Sequence, residues 1–309
     1  MDDSKELKHR GSMSINKKNE TEKIFVISLH RTMTRSVDAY LSILGYRTIH
    51  YPRFFKGFNI EEKMRGIEEQ TEKIISILTP VIESADALSD TPFPVLYKEL
   101  AYKWPESKFI LLLRDPEKWV QSVRSHVKDR DFRPFDKIQY GHFLGYATKS
   151  LRSVSDNDLQ NIYRQHTREV KRFFTEQGAG HRLCVIDDIG EAAALISNFL
   201  GQPVFEMPWI AGGKKGEQEL PSLLYWKSCC PGKADPCYYL AKIYYEQEEY
   251  SKARAECYRA VELDPYFQRP RKLLSKIDKR DRYVWIFRLK KLLSQAVKKL
   301  GNRKTAVAN

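Results

Sequence analysis

The chain has 309 residues, 42% of them apolar, and a net charge of +13. This length allows one or two domains, and the apolar share supports a sizeable core. Residues 271–309 hold 13 Lys/Arg against 2 Asp/Glu and so carry +11 of the charge; the rest is nearly neutral, and no specific nucleic-acid partner is expected of it.

Residues 1–21 are polar, carry no secretory signal and are expected to form a disordered tail. Ile24 to Leu29 reads as a first buried strand. It runs into the hydroxyl-rich turn His30-Arg31-Thr32-Met33-Thr34-Arg35-Ser36 and a helix marked by Val37, Tyr40, Leu41 and Leu44, closed by Gly45. A strand, a polar turn and a helix N-terminus make an anion cradle, because free backbone N–H groups and the positive end of the helix dipole meet there. Arg31, Thr32, Thr34, Arg35 and Ser36 add cationic and hydroxyl donors. Thr34 and Ser36 also fit plain helix capping, and Arg31 a surface ion pair.

A short strand over Arg47 to Tyr51 carries His50 near its end. Ile60 to Leu78 is polar and helix-like, and a short strand at Asp86 to Leu88 precedes Asp90. A helix is predicted over about Pro94 to Lys103, then a fully apolar strand from Phe109 to Leu113 that ends in Arg114. Asp115 as N-cap and Pro116 in the first turn open the next helix, with Trp119, Ser122, Val123 and Val127 at helical spacing. Arg114 thus sits at the carboxyl end of a strand, where open α/β sheets bind ligands, and Ser122 follows eight residues later. A guanidinium and a hydroxyl so placed suit a phosphate, although Asp115 or Glu117 also offers Arg114 an ion pair.

Residues 129–157 give few clean signals and are long enough for a substrate-facing or lid segment; Phe132, Phe135, Tyr140, His142, Phe143 and Tyr146 either line a pocket or pack. A helix follows from about Asp158 to Phe174, a buried strand over Leu183 to Ile186 and a helix over Ala192 to Leu200. The alternation implies an α/β fold, a mostly parallel sheet flanked by helices. Gly212 to Gly216 marks a loop, and Asp235 to Pro265 resembles one tetratricopeptide repeat, in which small residues fall where two helices pack closely. One repeat cannot bury its own faces, so residues 219–232 and a basic amphipathic helix over Arg282 to Leu300 are expected to help cover it. That last helix also suits weak contact with an anionic membrane. The organisation expected is therefore a tail over 1–21, an α/β domain over 22–212 and a helical region over 213–309. Five cysteines without metal or redox spacing, and no run of about 18 apolar residues, point to a reduced, cytoplasmic protein.

The turn at 30–36, Asp90-Thr91-Pro92, the Phe109 strand with Arg114 and Ser122, and Phe199-Leu200-Gly201-Gln202-Pro203 together resemble the sulfotransferase superfamily over about residues 22–210. The resemblance implies a P-loop-like fold that binds PAPS (3′-phosphoadenosine 5′-phosphosulfate) as sulfate donor, and no metal is expected because the turn lacks GxxxxGK[ST]. It implies that the turn holds the 5′-phosphosulfate, that Arg114 and Ser122 hold the 3′-phosphate, and that Arg31 is the catalytic cation. Asp90 is the candidate base and His50 the alternative; cytosolic relatives carry a His in the stretch comparable to Asp90, and either residue also suits a structural role. Met33 stands where the family usually has Gly, and Arg35 where it usually has a second Thr. The implied function is in-line transfer of a sulfuryl group to a hydroxyl or amine of a small-molecule or glycan acceptor. The alternative is a catalytically degenerate scaffold that binds a protein partner through the repeat. A nucleotide kinase is disfavoured, since the turn lacks GxxxxGK[ST].

Overall fold

The structure, a computed structural model, describes residues 22–211 and 216–280. The predicted tail over 1–21 and the basic helix over 282–300 lie outside the described residues, as does most of the 212–216 loop.

In chain order, β1 (Ile24–Val26) leads through the turn to α1 (Thr34–Ile43), whose chain reverses at Gly45 with φ +85°. Next come β2 (Thr48–His50), the hairpin β3 (Phe54–Phe55) and β4 (Phe58–Asn59), α2 (Ile60–Lys63) and α3 (Thr71–Glu83). The continuous helical stretch expected over 60–78 is thus broken; Gly66 takes φ +81° between the two helices and its N–H donates to Glu68 Oε2 at 2.8 Å. Then follow β5 (Ala87–Ser89), α4 (Tyr97–Lys103) after a 3-10 turn, β6 (Lys108–Leu112) and α5 (Pro116–Val127). Asp115 caps α5 as expected, accepting from the N–H of Lys118 at 2.8 Å. The 129–157 stretch holds a helix, α6 (Pro134–Leu144). Pro134 opens it and Asp136 accepts from the N–H of Arg133 at 2.9 Å, a start signal that was legible in Arg133-Pro134-Phe135-Asp136. The order closes with α7 (Asp156–Glu176), β7 (Leu183–Ile186), α8 (Ala192–Leu200), α9 (Leu220–Cys229), α10 (Ala234–Glu246), α11 (Tyr250–Leu263) and α12 (268–280).

Two compact units divide the described residues. The first takes the chain up to Thr34, Leu44–Pro52 and Ile60–Phe205; the second takes Arg35–Ile43, Arg53–Asn59 and the described residues from Glu206 onward. The first unit is an α/β layer structure with a five-stranded parallel sheet in the order β2-β5-β1-β6-β7. Phe25, Val26, Leu88, Phe109 and Ile110 are fully buried, because helices cover both faces of a parallel sheet. Phe25 stacks on Phe109 at 5.5 Å, and Phe109 meets Phe174 of α7 at 4.8 Å. Trp119, Val123 and Val127 of α5 pack with Tyr140 of α6 and Leu159, Ile162 and Tyr163 of α7. Phe132, Phe135 and Tyr140 thereby belong to the core.

The chain crosses from one side of β1 to the other between β5 and β6, so the sheet order reverses around β1. Parallel strands place all their carboxyl ends on one edge, and the crevice at such a reversal is where α/β sheets bind ligands. His30 and Arg31, His50, Asp90 and Arg114 all follow or end strands on that edge.

In the second unit, Ala241, Ala253, Cys257 and Ala260 sit where α10 and α11 approach one another. Leu273 and Ile277 of α12 cover one side, and Leu223 and Trp226 of α9 pack with Tyr239, Leu240 and Ile243. The α1 segment joins this unit: Trp226 Nε1 donates to Ser42 Oγ at 2.7 Å, and Lys233 pairs with buried Asp38 at 3.5 Å.

Candidate functional site

Three successive carbonyls of the turn after β1 are turned inward by dedicated donors. Thr32 Oγ1 donates to Leu29 O at 2.7 Å, Trp119 Nε1 to His30 O at 2.9 Å, and Arg114 Nη1 to Arg31 O at 2.6 Å. Arg31 and Met33 adopt φ +71° and +65°, the left-handed region that side chains disfavour by about 1–2 kcal/mol. Such outliers persist where surrounding contacts over-determine them, and they concentrate at functional sites. The turn opens directly into α1, whose first N–H groups have no intrahelical acceptor.

Arg31, Arg114 and Ser122 converge. Arg31 donates from Nε to Ser122 Oγ at 3.1 Å, while Arg114 holds the Arg31 carbonyl. Arg114 is itself positioned by Tyr163, whose hydroxyl accepts from the Arg114 N–H at 2.5 Å. The polar turn and the Arg114/Ser122 pair, separate motifs in the sequence, are therefore one site. Two arginines and a hydroxyl gathered at a strand end suit a bound anion.

The hydroxyls of the turn are placed differently. Thr32 and Thr34 are buried, and the Thr32 proton is committed to Leu29. Within the second unit, fully buried Ser36 accepts from the Ile210 N–H at 2.9 Å, and Arg35 lies over the Tyr239 ring at 5.0 Å. Ser36 and Arg35 thus have structural partners where the sequence suggested phosphate contacts.

The two candidate bases form one unit. His50 Nε2 lies 3.2 Å from Asp90 Oδ2, and His50 Nδ1 lies 2.9 Å from Ser89 Oγ. A proton on His50 Nε2 is donated to the Asp90 carboxylate, and Nδ1 shares a hydrogen bond with the Ser89 hydroxyl. Asp90 Oδ1 accepts from the Thr91 N–H at 2.7 Å, and Thr91 Oγ1 donates to Gln139 Oε1 at 2.9 Å. Asp90 has φ +70°, and its side chain keeps 15% exposure against 7% for His50. Asp90 is therefore the more accessible of the pair, held by His50 and Thr91.

Sequence reading missed the residues that brace this edge. His30 Nε2 and the Tyr140 hydroxyl are 2.5 Å apart, and burial keeps the His30 imidazole below its usual pKa despite the opposing pull of Asp90 and Asp136. His166 donates from Nε2 to Ile27 O at 2.8 Å, and Ser28 Oγ accepts from the Leu112 N–H at 2.6 Å. The Ser28–Leu112 bond extends the β1–β6 pairing beyond the ladder, and His166 ties α7 to the end of β1. Nothing local announces them; only the Thr91 contact was adjacent to a candidate residue. Among the described residues no group of three or more His, Cys, Asp or Glu is placed to hold a metal, and no helix is long and apolar enough to cross a membrane. All five cysteines are free thiols.

Residues 23–214 match the family described as Sulfotransferase domain. A 111-residue stretch is 27% identical to Ava biosynthesis cluster protein M of Aspergillus versicolor; it takes in 33% of this chain and 42% of that protein, so the match spans less than half of the relative. A solved sulfotransferase from Alicyclobacillus acidocaldarius aligns over 68% of this chain and 96% of its own, with 13% identity and a TM-score of 0.38. The family match runs over more than half of the 309 residues, and with the parallel sheet it leads to one conclusion: this chain belongs to the sulfotransferase domain family.

Proposed function

We propose that the protein transfers a sulfuryl group from PAPS to a hydroxyl or amine of a small-molecule or glycan acceptor. The observation that carries this reading is the convergence of Arg31, Arg114 and Ser122 at the carboxyl edge of the sheet. PAPS, when bound, supplies the activated sulfuryl group on a nucleotide leaving group. The residues present fit its anionic groups: Arg114 and Ser122 bind and orient a phosphate, and Arg31 offers a cation where charge builds during transfer. Asp90 takes the acceptor proton on a carboxylate oxygen. His50 holds Asp90 from Nε2, and Thr91 with Gln139 fixes its other side. The free thiols are in keeping with a reducing, cytoplasmic setting.

Thermal unfolding with 3′-phosphoadenosine 5′-phosphate against 5′-AMP tests the donor site, and transfer of labelled sulfate from PAPS tests the activity. A ligand at about 100 times its dissociation constant stabilises a fold by roughly 2.7 kcal/mol. A shift that requires both the 3′-phosphate and Arg114 supports the reading; no shift with either nucleotide overturns it.

A second reading has its own support. Met33 stands at φ +65° where the family usually has Gly, Arg35 is turned onto Tyr239, and Ser36 is held by Ile210. In this reading the domain is a degenerate support and the tetratricopeptide-like hairpin α10–α11 binds a protein partner. Absence of sulfate transfer to any acceptor, together with capture of a partner that needs α10–α11, favours it.

A further inference from the structure

A cavity of about 440 Å³ opens beside Arg114, between the start of α5 and the outer face of α7. That volume falls within the usual range for small-ligand sites. Its floor is carbon, from Leu113, Pro116 and the ring of Tyr163, whose hydroxyl is held by the Arg114 N–H and by Thr167. Its lining surface is mostly carbon, and the charged residues that border it are all cations: Arg114 from the sheet edge, then Arg164, Arg168 and Lys171 from α7. The carboxylate nearest in sequence, Asp115, is turned back onto the N–H of Lys118.

The three helix cations stand at i, i+4 and i+7, so they share one face and span roughly 10 Å along the axis. All three are exposed. Arg164 donates only to the neutral Gln160, at 2.7 Å, and Arg168 and Lys171 have no ion-pair partner among the described residues. The neighbouring acid Glu169 accepts from Gln165, and Arg172 pairs with Glu176, so the acids of α7 serve other residues. A row of like charges along an open groove raises the positive potential there and is eased by an anion with several charged groups. A single phosphate reaches one or two of these cations; the row matches two or more phosphates spaced along the cleft.

We propose that this cleft is a binding site for a ligand bearing two or more phosphate groups, distinct from the Arg31/Ser122 end of the donor site and joined to it through Arg114. The proposal goes beyond the sulfuryl-transfer reading and does not require it. Because Arg114 lines the cleft and also holds the Arg31 carbonyl, a filled cleft draws on a residue that the donor site uses. Occupancy then weakens binding of the donor nucleotide.

The same chemistry comes free in solution or on a phosphoinositide headgroup, so two probes are needed. Calorimetric titration with tripolyphosphate and co-sedimentation with phosphatidylcholine vesicles, with and without a phosphoinositide, are run on the full chain and on the double variant Arg164→Gln/Arg168→Gln. Both substitutions are at exposed helix positions, and unchanged far-UV circular dichroism and Tm confirm folding. The expected result is binding by the native chain that weakens about 100-fold in the double variant, roughly tenfold per guanidinium removed. Loss of tripolyphosphate binding assigns a soluble ligand, and loss of vesicle binding alone assigns the lipid headgroup. Equal binding by native and double variant, or none by the native chain in either form, overturns the proposal. A 3′-phosphoadenosine 5′-phosphate thermal shift on the same samples separates its failure from failure of the donor reading: the double variant should keep that shift.

Discussion

Arg31 Nε and Ser122 Oγ meet at 3.1 Å although 91 residues separate them in sequence. The bond ties the turn after β1 to the helix after β6, and it brings the two motifs read from the sequence together at one edge of the sheet.

The first prediction concerns that site. Arg114→Ala should weaken 3′-phosphoadenosine 5′-phosphate binding about 100-fold, because a charge-assisted contact is lost along with the donor that holds the Arg31 carbonyl. Ser122→Ala removes one neutral hydroxyl and should weaken it only about tenfold. Titration calorimetry of both variants checks the order; an equal effect, or none, would detach these residues from the nucleotide.

The Asp90–His50 pair makes a second prediction, one that separates a base from a residue that positions it. Asp90→Asn should lower sulfate transfer by about 10²–10⁴ while nucleotide binding stays unchanged. His50→Gln keeps an N–H donor towards Asp90 Oδ2 and should retain most activity, whereas His50→Ala should lose about tenfold or more. If Gln and Ala at position 50 were equally inactive, His50 would be the base.

Met33 supplies a third. Its φ of +65° is a glycine-type conformation occupied by a bulky side chain. Met33→Gly removes strain of about 1 kcal/mol, offset by a similar gain in unfolded-chain entropy, so Tm should move little. The shorter residue lets the backbone of the turn approach a phosphate, and nucleotide affinity should rise about tenfold, or 1.4 kcal/mol. Unchanged affinity in calorimetry would show that the Met33 side chain does not crowd the ligand.

A fourth prediction follows from His166. Burial lowers its pKa from 6.5 to about 4, with nearby His142 acting in the same direction and Glu169 and the Ile27 carbonyl against it. Its folded pKa lies below its unfolded value, so the unfolded chain binds the extra proton first as pH falls. The stability tied to neutral His166 is complete above pH 6.5 and is lost between there and about pH 4, by on the order of 3 kcal/mol. Denaturant unfolding at pH 7, 6 and 5 should show that decline, and His166→Gln should make it shallower, leaving the smaller share of His30 and His142. The same slope in the variant would place the titration elsewhere.

Much of the sheet was legible in the sequence. Phe109 to Leu113 and Leu183 to Ile186 read as strands because a parallel sheet covered on both faces demands unbroken apolar runs. Asp115-Pro116 announced α5 and Gly45 announced the end of α1, since capping and left-handed φ are local requirements. Positions at strand carboxyl ends followed from this, and with them Arg31, His50, Asp90 and Arg114 on one edge. Helix α6 was overlooked because its face has little periodicity to detect, although its Pro134/Asp136 start was present.

The sequence by itself thus determined the strands, the helix starts and the edge on which charged residues gather, all set by neighbours within a few positions. Only the tertiary structure decided what those side chains do. It joined Asp90 to His50, sent Arg35 to Tyr239 and Ser36 to Ile210, and aligned Arg164, Arg168 and Lys171 with Arg114. Each of these contacts links positions far apart in the chain, 174 residues in the case of Ser36 and Ile210. Such pairings are chosen by the packing of whole elements, where each polar group finds whichever partner burial leaves within reach, and no local pattern encodes that choice.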